Sequence, residues 1–142
     1  MNLHTNETLF NQAIRATAKQ MQLPEIYIEK DYWVTFALYT IFHHEIGRAA
    51  VFKGGTALSK CYGLIERFSE DIDLVIVRSG EENDNQLKKK IKIITSVVGE
   101  IIPETEVPGI TNRKGMVRKI GYSYPRTFKG DYEQVRDVII VE

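Results

Sequence analysis

Apolar and polar positions recur along the chain with two different periods. From Thr5 to Gln22, Leu9, Phe10, Ala13, Ile14, Ala18 and Met21 fall on one stripe. That spacing predicts an amphipathic helix capped by Thr5 or Asn6, with Pro24 following its end. A second helix is predicted from about Glu25 or Asp31 to Glu45, with Gly47 as its stop. Its apolar residues, from Tyr32 and Trp33 to Ile41 and Phe42, wrap nearly all round, so it is expected to be deeply packed. Ala49 to Lys53 reads as a short strand entering a tight turn at Gly54-Gly55. Thr56 to Tyr62 then reads as a short helix capped by Gly63. Asp71 to Val77 alternates and then becomes continuously apolar and β-branched, the pattern of a central buried strand. Glu81 to Ile102 is predicted as a long helix with Leu87, Ile91, Ile94, Val98 and Ile101 on its apolar face. Beyond the loop from Pro103 to Lys114, Met116 to Tyr124 and Val135 to Val141 read as strands. The order α-α-β-α-β-α-β-β is that of a layered α/β domain, two helices preceding its core.

Composition narrows the class. The chain has 142 residues, 43% hydrophobic and 27% charged, which fits one soluble folded domain. It excludes a disordered chain, a collagen-like repeat and a highly basic coat protein. Cys61 is the only cysteine, so neither an intrachain disulfide nor a thiol-rich zinc site is available. No run of about 18 apolar residues occurs. The segment Met1 to Glu7 lacks the basic-then-apolar order of a signal peptide, so a cytoplasmic location without membrane contact is expected. The formal net charge is zero but unevenly spread. Residues 86–136 carry eleven basic and five acidic side chains, a local charge of +6, and the remainder carries −6. Such a chain can set a basic face beside an acidic site.

The chemistry concentrates in FKGGTALSKCYGLIERFSEDIDL, Phe52 to Leu74. Gly54-Gly55-Thr56 is a glycine corner between a strand and a helix. Glycine admits close backbone approach, and the free N–H groups of a helix N-terminus bind phosphate. Asp71 and Asp73 are two apart on a strand, so both carboxylates face one way while Ile72 faces the core. Paired carboxylates repel unless a cation lies between them, and hard oxygen donors suit Mg²⁺ or Mn²⁺. A phosphate cradle beside a divalent-metal pair is equipment for phosphoryl or nucleotidyl transfer. Two competing motifs fail. A Walker A loop needs glycine directly before its lysine, where Ser59 precedes Lys60, and the spaced glycines of a dinucleotide fingerprint are absent.

KGGTALSK followed by RFSEDIDL, with Glu29-Lys30-Asp31-Tyr32-Trp33-Val34 upstream, resembles the AbiEii/AbiGii toxin family of the DNA polymerase beta-like nucleotidyltransferase superfamily. The resemblance covers about Ile28 to Val77. It implies a nucleotidyltransferase-type mixed sheet flanked by helices. It implies transfer of a nucleotide from an NTP, with Mg²⁺ or Mn²⁺, to an acceptor such as the 3′ end of tRNA or another RNA. It implies a toxin paired with a cognate antitoxin in a toxin–antitoxin or abortive-infection system of type IV kind. By this likeness Asp71 and Asp73 hold the metals and Gly54, Gly55 and Thr56 line the triphosphate, with Ser59 or Lys60 near it. A third carboxylate is expected on a neighbouring strand, Glu142 being favoured over Asp137. Family members usually continue into a helical half bearing a further Lys and Asp, so residues 1–142 are expected to form the nucleotidyltransferase core without that half.

Lys53, Lys60 and Arg67 are candidates for added positive charge at the phosphates. Tyr122, Tyr124, Phe128 and Tyr132, interleaved with Arg118, Lys119, Arg126 and Lys129, suit either a packed sheet or stacking on a single-stranded RNA end. Cys61 and Trp33 are expected to be buried, Lys88 to Lys92 to form a solvated face, and His43-His44 to sit at a helix end without a metal. Two other functions stay open: a nucleotide- or RNA-binding module of the same fold without turnover, and modification of a small molecule.

Overall fold

A computed structural model describes residues 2–63, 71–131 and 136–142. Helix α1 spans Glu7–Met21, capped by the Asn6 side chain, which accepts from the Leu9 N–H at 3.1 Å. Phe10, Ile14 and Ala18 form its buried stripe, while Leu9 and Met21 are exposed, so the stripe is narrower than its spacing predicts. Helix α2 spans Glu25–His43 and is buried on nearly every side, as its all-round apolar content requires. It ends at His44, three residues before Gly47, and a 3₁₀ turn covers Glu45–Ala49. Gly47 serves close packing instead of stopping the helix: a Cβ there would lie 2.6 Å from the Ile41 carbonyl oxygen.

Strand β1 (Ala50–Lys53) leads directly into helix α3 (Gly54–Tyr62), which Gly63 closes with a φ of 61°. Strand β2 (Asp73–Ile76) lies antiparallel to β1, pairing Lys53 with Asp73 and Phe52 with Leu74. Helix α4 (Asp84–Gly99) starts at a capping box in which Asn83 and Gln86 exchange side-chain and backbone hydrogen bonds. It buries Leu87, Ile94, Thr95, Val97 and Val98. Strands β3 (Glu104–Thr105), β4 (Ile120–Tyr122) and β5 (Ile139–Val141) form a second antiparallel sheet. The predicted strand from Met116 is thus shorter than its alternation suggests.

A parallel bridge between Ile72 and Val141 joins the two sheets. Ile72 N–H donates to the Ile140 carbonyl (2.9 Å), Glu142 N–H to that of Ile72 (2.9 Å) and Leu74 N–H to that of Glu142 (2.8 Å). The strands therefore run β1-β2-β5-β4-β3 as one mixed sheet, in agreement with the expected α/β class. One face packs Ile72, Ile120, Tyr122, Ile139 and Val141 against Val34, Ala37 and Ile41 of α2 and Ile94, Val97 and Val98 of α4. A second cluster joins Phe10, Ile14, Ala18, Ile26 and Ile28 to Phe128. The other face of β1 and β2 is open: Val51 and Val75 are exposed, so β2 is not buried on both faces as its apolar run suggests.

Candidate active site

Ladder register gathers charged residues on the open face. Lys53 and Asp73 are direct cross-strand partners, and so lie on one face. Since Ile72 and Val141 are bridge partners, Asp73 and Glu142 stand side by side one step further along. Ile120 pairs with Val141, which sets Lys119 opposite Glu142, and Lys119 Nζ lies 3.1 Å from Glu142 Oε2. The order across the end of the sheet is cation, anion, anion, cation. Asp71 lies two residues before Asp73, ahead of β2, so the strand starts later than the sequence predicts. Asp71 Oδ2 receives Arg136 Nη1 at 3.2 Å and its Oδ1 the Ile140 N–H at 3.4 Å.

Asp73 is set differently. Its carboxylate rests against Gly54, whose φ of +80° belongs to the left-handed region, and a Cβ at Gly54 would collide with Oδ2. The glycine corner thus lets the first turn of α3 lie directly beside the Asp73 carboxylate. Lys53, the N-cap, contributes no capping side chain, which leaves N–H groups of that turn available for an anion. Among the described residues, the Asp73 carboxylate makes no hydrogen bond or ion pair.

The remaining predicted residues are placed as follows. Gly55 and Thr56 lie in the first turn of α3, and Thr56 is buried. Ser59 is half-buried one turn on. Lys60 turns away from the glycine corner toward α2, bonding Asp31 Oδ1 at 2.7 Å and Thr35 Oγ1 at 2.9 Å. Asp137, the other candidate third carboxylate, pairs with Arg126 at 2.7 Å. Arg67 and Tyr132 lie outside the described residues. Among the described residues no three His, Cys, Asp or Glu side chains gather closely enough to enclose a metal ion. Yet the donors on this face are all carboxylate oxygens and one has no partner among the described residues, a set that fits a hard divalent cation.

A cavity of about 280 Å³ opens beside Lys53 and Glu142, floored by Leu87, Ile91 and Ile94 and walled by Leu74, Ile76 and Met116. The basic second half is less free than its charge count suggests. Arg113 pairs with Glu104 and Glu106, Lys90 with Glu82, and Arg126 with Asp137. Tyr122, Tyr124 and Phe128 are buried, which removes them as stacking platforms and leaves the packed-sheet alternative. Tyr122 donates to the Thr95 carbonyl at 2.6 Å, and burial pushes its phenol well above the usual range. Cys61 is exposed, contrary to expectation, whereas Trp33 is in the core.

The role of Glu29-Lys30-Asp31 is legible only in three dimensions. These consecutive α2 residues reach three separate segments. Buried Glu29 accepts the N–H groups of Thr127 (2.6 Å) and Phe128 (2.9 Å). Buried Lys30 donates to the Arg136 carbonyl at 2.7 Å, fixing the backbone of the residue that pairs with Asp71. Asp31 holds Lys60 on α3. The sequence signal was the charged triplet inside an otherwise apolar helix.

No helix among the described residues is long and apolar enough to cross a membrane. Comparison with curated proteins and with solved structures finds no match to this chain. Residues 37–142 match the family described as the nucleotidyl transferase AbiEii toxin of a type IV toxin–antitoxin system. With a glycine corner, an aspartate pair and a matched region covering most of its length, the chain belongs to the AbiEii nucleotidyltransferase toxin family.

Proposed function

We propose that the chain transfers a nucleotide from an NTP to an acceptor hydroxyl at an RNA 3′ end, such as that of tRNA, with Mg²⁺ or Mn²⁺ bound at Asp71, Asp73 and Glu142. The observation that carries this reading is Asp73: a carboxylate without a partner among the described residues, pressed against Gly54, beside Glu142 and opposite Lys53. A bound divalent cation would supply charge neutralisation at the phosphates and acidify the attacking hydroxyl. The chain's own residues position and balance charge, which is most of what phosphoryl chemistry asks of a protein. Gly54, Gly55 and Thr56 present backbone N–H groups to the triphosphate, and Lys53 offers an exposed ammonium beside them. The acceptor oxygen forms a bond to the α-phosphorus, the bond to the bridging oxygen breaks, pyrophosphate leaves, and the hydroxyl proton passes to water. Lys88, Lys89, Lys92, Lys114 and Lys129 are exposed and unpaired among the described residues, and supply sequence-independent attraction for RNA phosphates. Localisation in the cytoplasm, with its NTP and tRNA, goes with this reading.

The separation of the three carboxylates favours a second reading, a module that binds Mg²⁺-NTP without turnover. One experiment separates the two. Labelled NTPs, Mg²⁺ and total RNA are offered to the wild type and to Asp73→Asn. Label on RNA that disappears with Asp73→Asn, in a variant that folds normally, supports transfer. Nucleotide binding without labelled RNA supports the module. Transfer that survives Asp73→Asn overturns the site.

A further inference from the structure

The structure holds two positive side chains where the proposed site calls for a cation. Lys119 Nζ lies 3.1 Å from Glu142 Oε2, and Arg136 Nη1 lies 3.2 Å from Asp71 Oδ2. Neighbouring carboxylates would repel one another, and these two cations offset that repulsion. The Lys119 pair is not locked in place: the Lys119 and Glu142 side chains are 38% and 37% exposed. Half-exposed ion pairs of this kind are weak, so a divalent cation competes with them at little cost. A lysine released from Glu142 then stands beside a like-charged metal, where a phosphate oxygen is its natural new partner.

We propose that Lys119 is an exchangeable counter-cation that leaves Glu142 on divalent-metal binding and turns to the phosphates of the incoming nucleotide. This rests on the metal-and-NTP reading of the site given above. Its consequence is energetic coupling. Lys119 opposes the metal when nucleotide is absent and favours nucleotide when metal is present, so each ligand raises the affinity for the other by the same factor. Lys119 is thereby a positioning residue whose effect appears in binding without any turnover.

The test uses Mn²⁺ alone, followed by paramagnetic resonance or calorimetry, on the full chain and on Lys119→Met. The variant is expected to bind Mn²⁺ roughly two- to fivefold more tightly, the range set by a half-exposed ion pair. In the presence of Mn²⁺ it is expected to bind a non-hydrolysable NTP more weakly than the wild type, so the coupling factor shrinks. Lys119→Gln, which keeps a polar end without the charge, should behave alike and serves if the methionine variant folds poorly. Unchanged or weaker Mn²⁺ binding by a folded variant, or an unchanged coupling factor, overturns the proposal while leaving the metal site standing. If the wild type binds no Mn²⁺, or binds it equally well with Asp73→Asn, the reading of the site itself fails, and the exchange fails with it.

Discussion

Gly54 shows how much one residue decides. Its φ of +80° is unfavourable for any residue with a Cβ, and the place a Cβ would take is held by the Asp73 carboxylate. Gly54→Ala therefore carries two penalties. The backbone strain alone costs roughly 1–2 kcal/mol, read by urea denaturation. The side chain also pushes Asp73 aside, so Mn²⁺ and nucleotide binding should fall further than the stability loss explains. A variant of normal stability and undiminished Mn²⁺ binding would refute this account of the corner. Gly63, at a φ of 61° with nothing near its missing Cβ, meets only the first penalty. Both glycines are conspicuous in the sequence, and the Asp73 carboxylate beside Gly54 alone is what tells them apart.

At the scale of elements, α2 is the organiser. Its apolar residues pack against the sheet, while Glu29, Lys30 and Asp31 tie down the 127–128 backbone, the Arg136 carbonyl and α3. Burial raises the Glu29 pKa above its ordinary value of 4.5, and the backbone hydrogen bonds from Thr127 and Phe128 offset this only in part. The sign follows from linkage. A carboxyl that is more basic in the folded chain contributes stability below the unfolded value, and that contribution is lost as pH rises through the folded one. Stability of the wild type relative to Glu29→Gln is thus expected to decline as pH rises above the ordinary carboxyl value of 4.5, measured by chemical denaturation of both proteins at a series of pH values. A flat difference would mean that Glu29 titrates alike in both states. The existence of α1, α2, α3 and α4 was legible from periodicity and caps. The end of α2 was not, because Gly47 looks like a stop signal while its real constraint is the Ile41 carbonyl and the Phe42 Cα packed against it.

For the whole molecule, the decisive contact is the parallel bridge of Ile72 with Val141. It joins two small antiparallel sheets and sets Glu142 beside Asp73. Both bridge residues are buried in the main core. Val141→Ala is expected to cost about 2 kcal/mol in global stability and to weaken Mn²⁺ binding as β5 loosens from β2, whereas an equally destabilising change in the Phe10 cluster should leave Mn²⁺ binding intact. Equal loss of Mn²⁺ binding from both positions would argue against a specific role for the bridge. Charge also resolves only at this scale. The sequence divides into a −6 and a +6 portion, but Arg136 and Lys119 of the basic portion are spent on Asp71 and Glu142 of the acidic one.

What the amino-acid order settled by itself is local. Hydrophobic period distinguishes the helices from the strands, and Asn6 is one of the two cap candidates the sequence offers for α1. The family, too, was legible from KGGTALSK and RFSEDIDL, whose order and spacing exceed what either part carries alone. Tertiary structure decided the matters that depend on residues distant in sequence. Glu142 stands next to Asp73 through a ladder joining positions about seventy residues apart. Lys60 belongs to Asp31 because α3 packs near α2. Tyr122 enters the core instead of facing a ligand on β4, an inner strand paired on both edges, and Tyr124, two residues beyond it, is buried too. Periodicity reports which way a side chain points relative to its own backbone; what it meets there is set by the neighbour that strand register and helix packing bring to it.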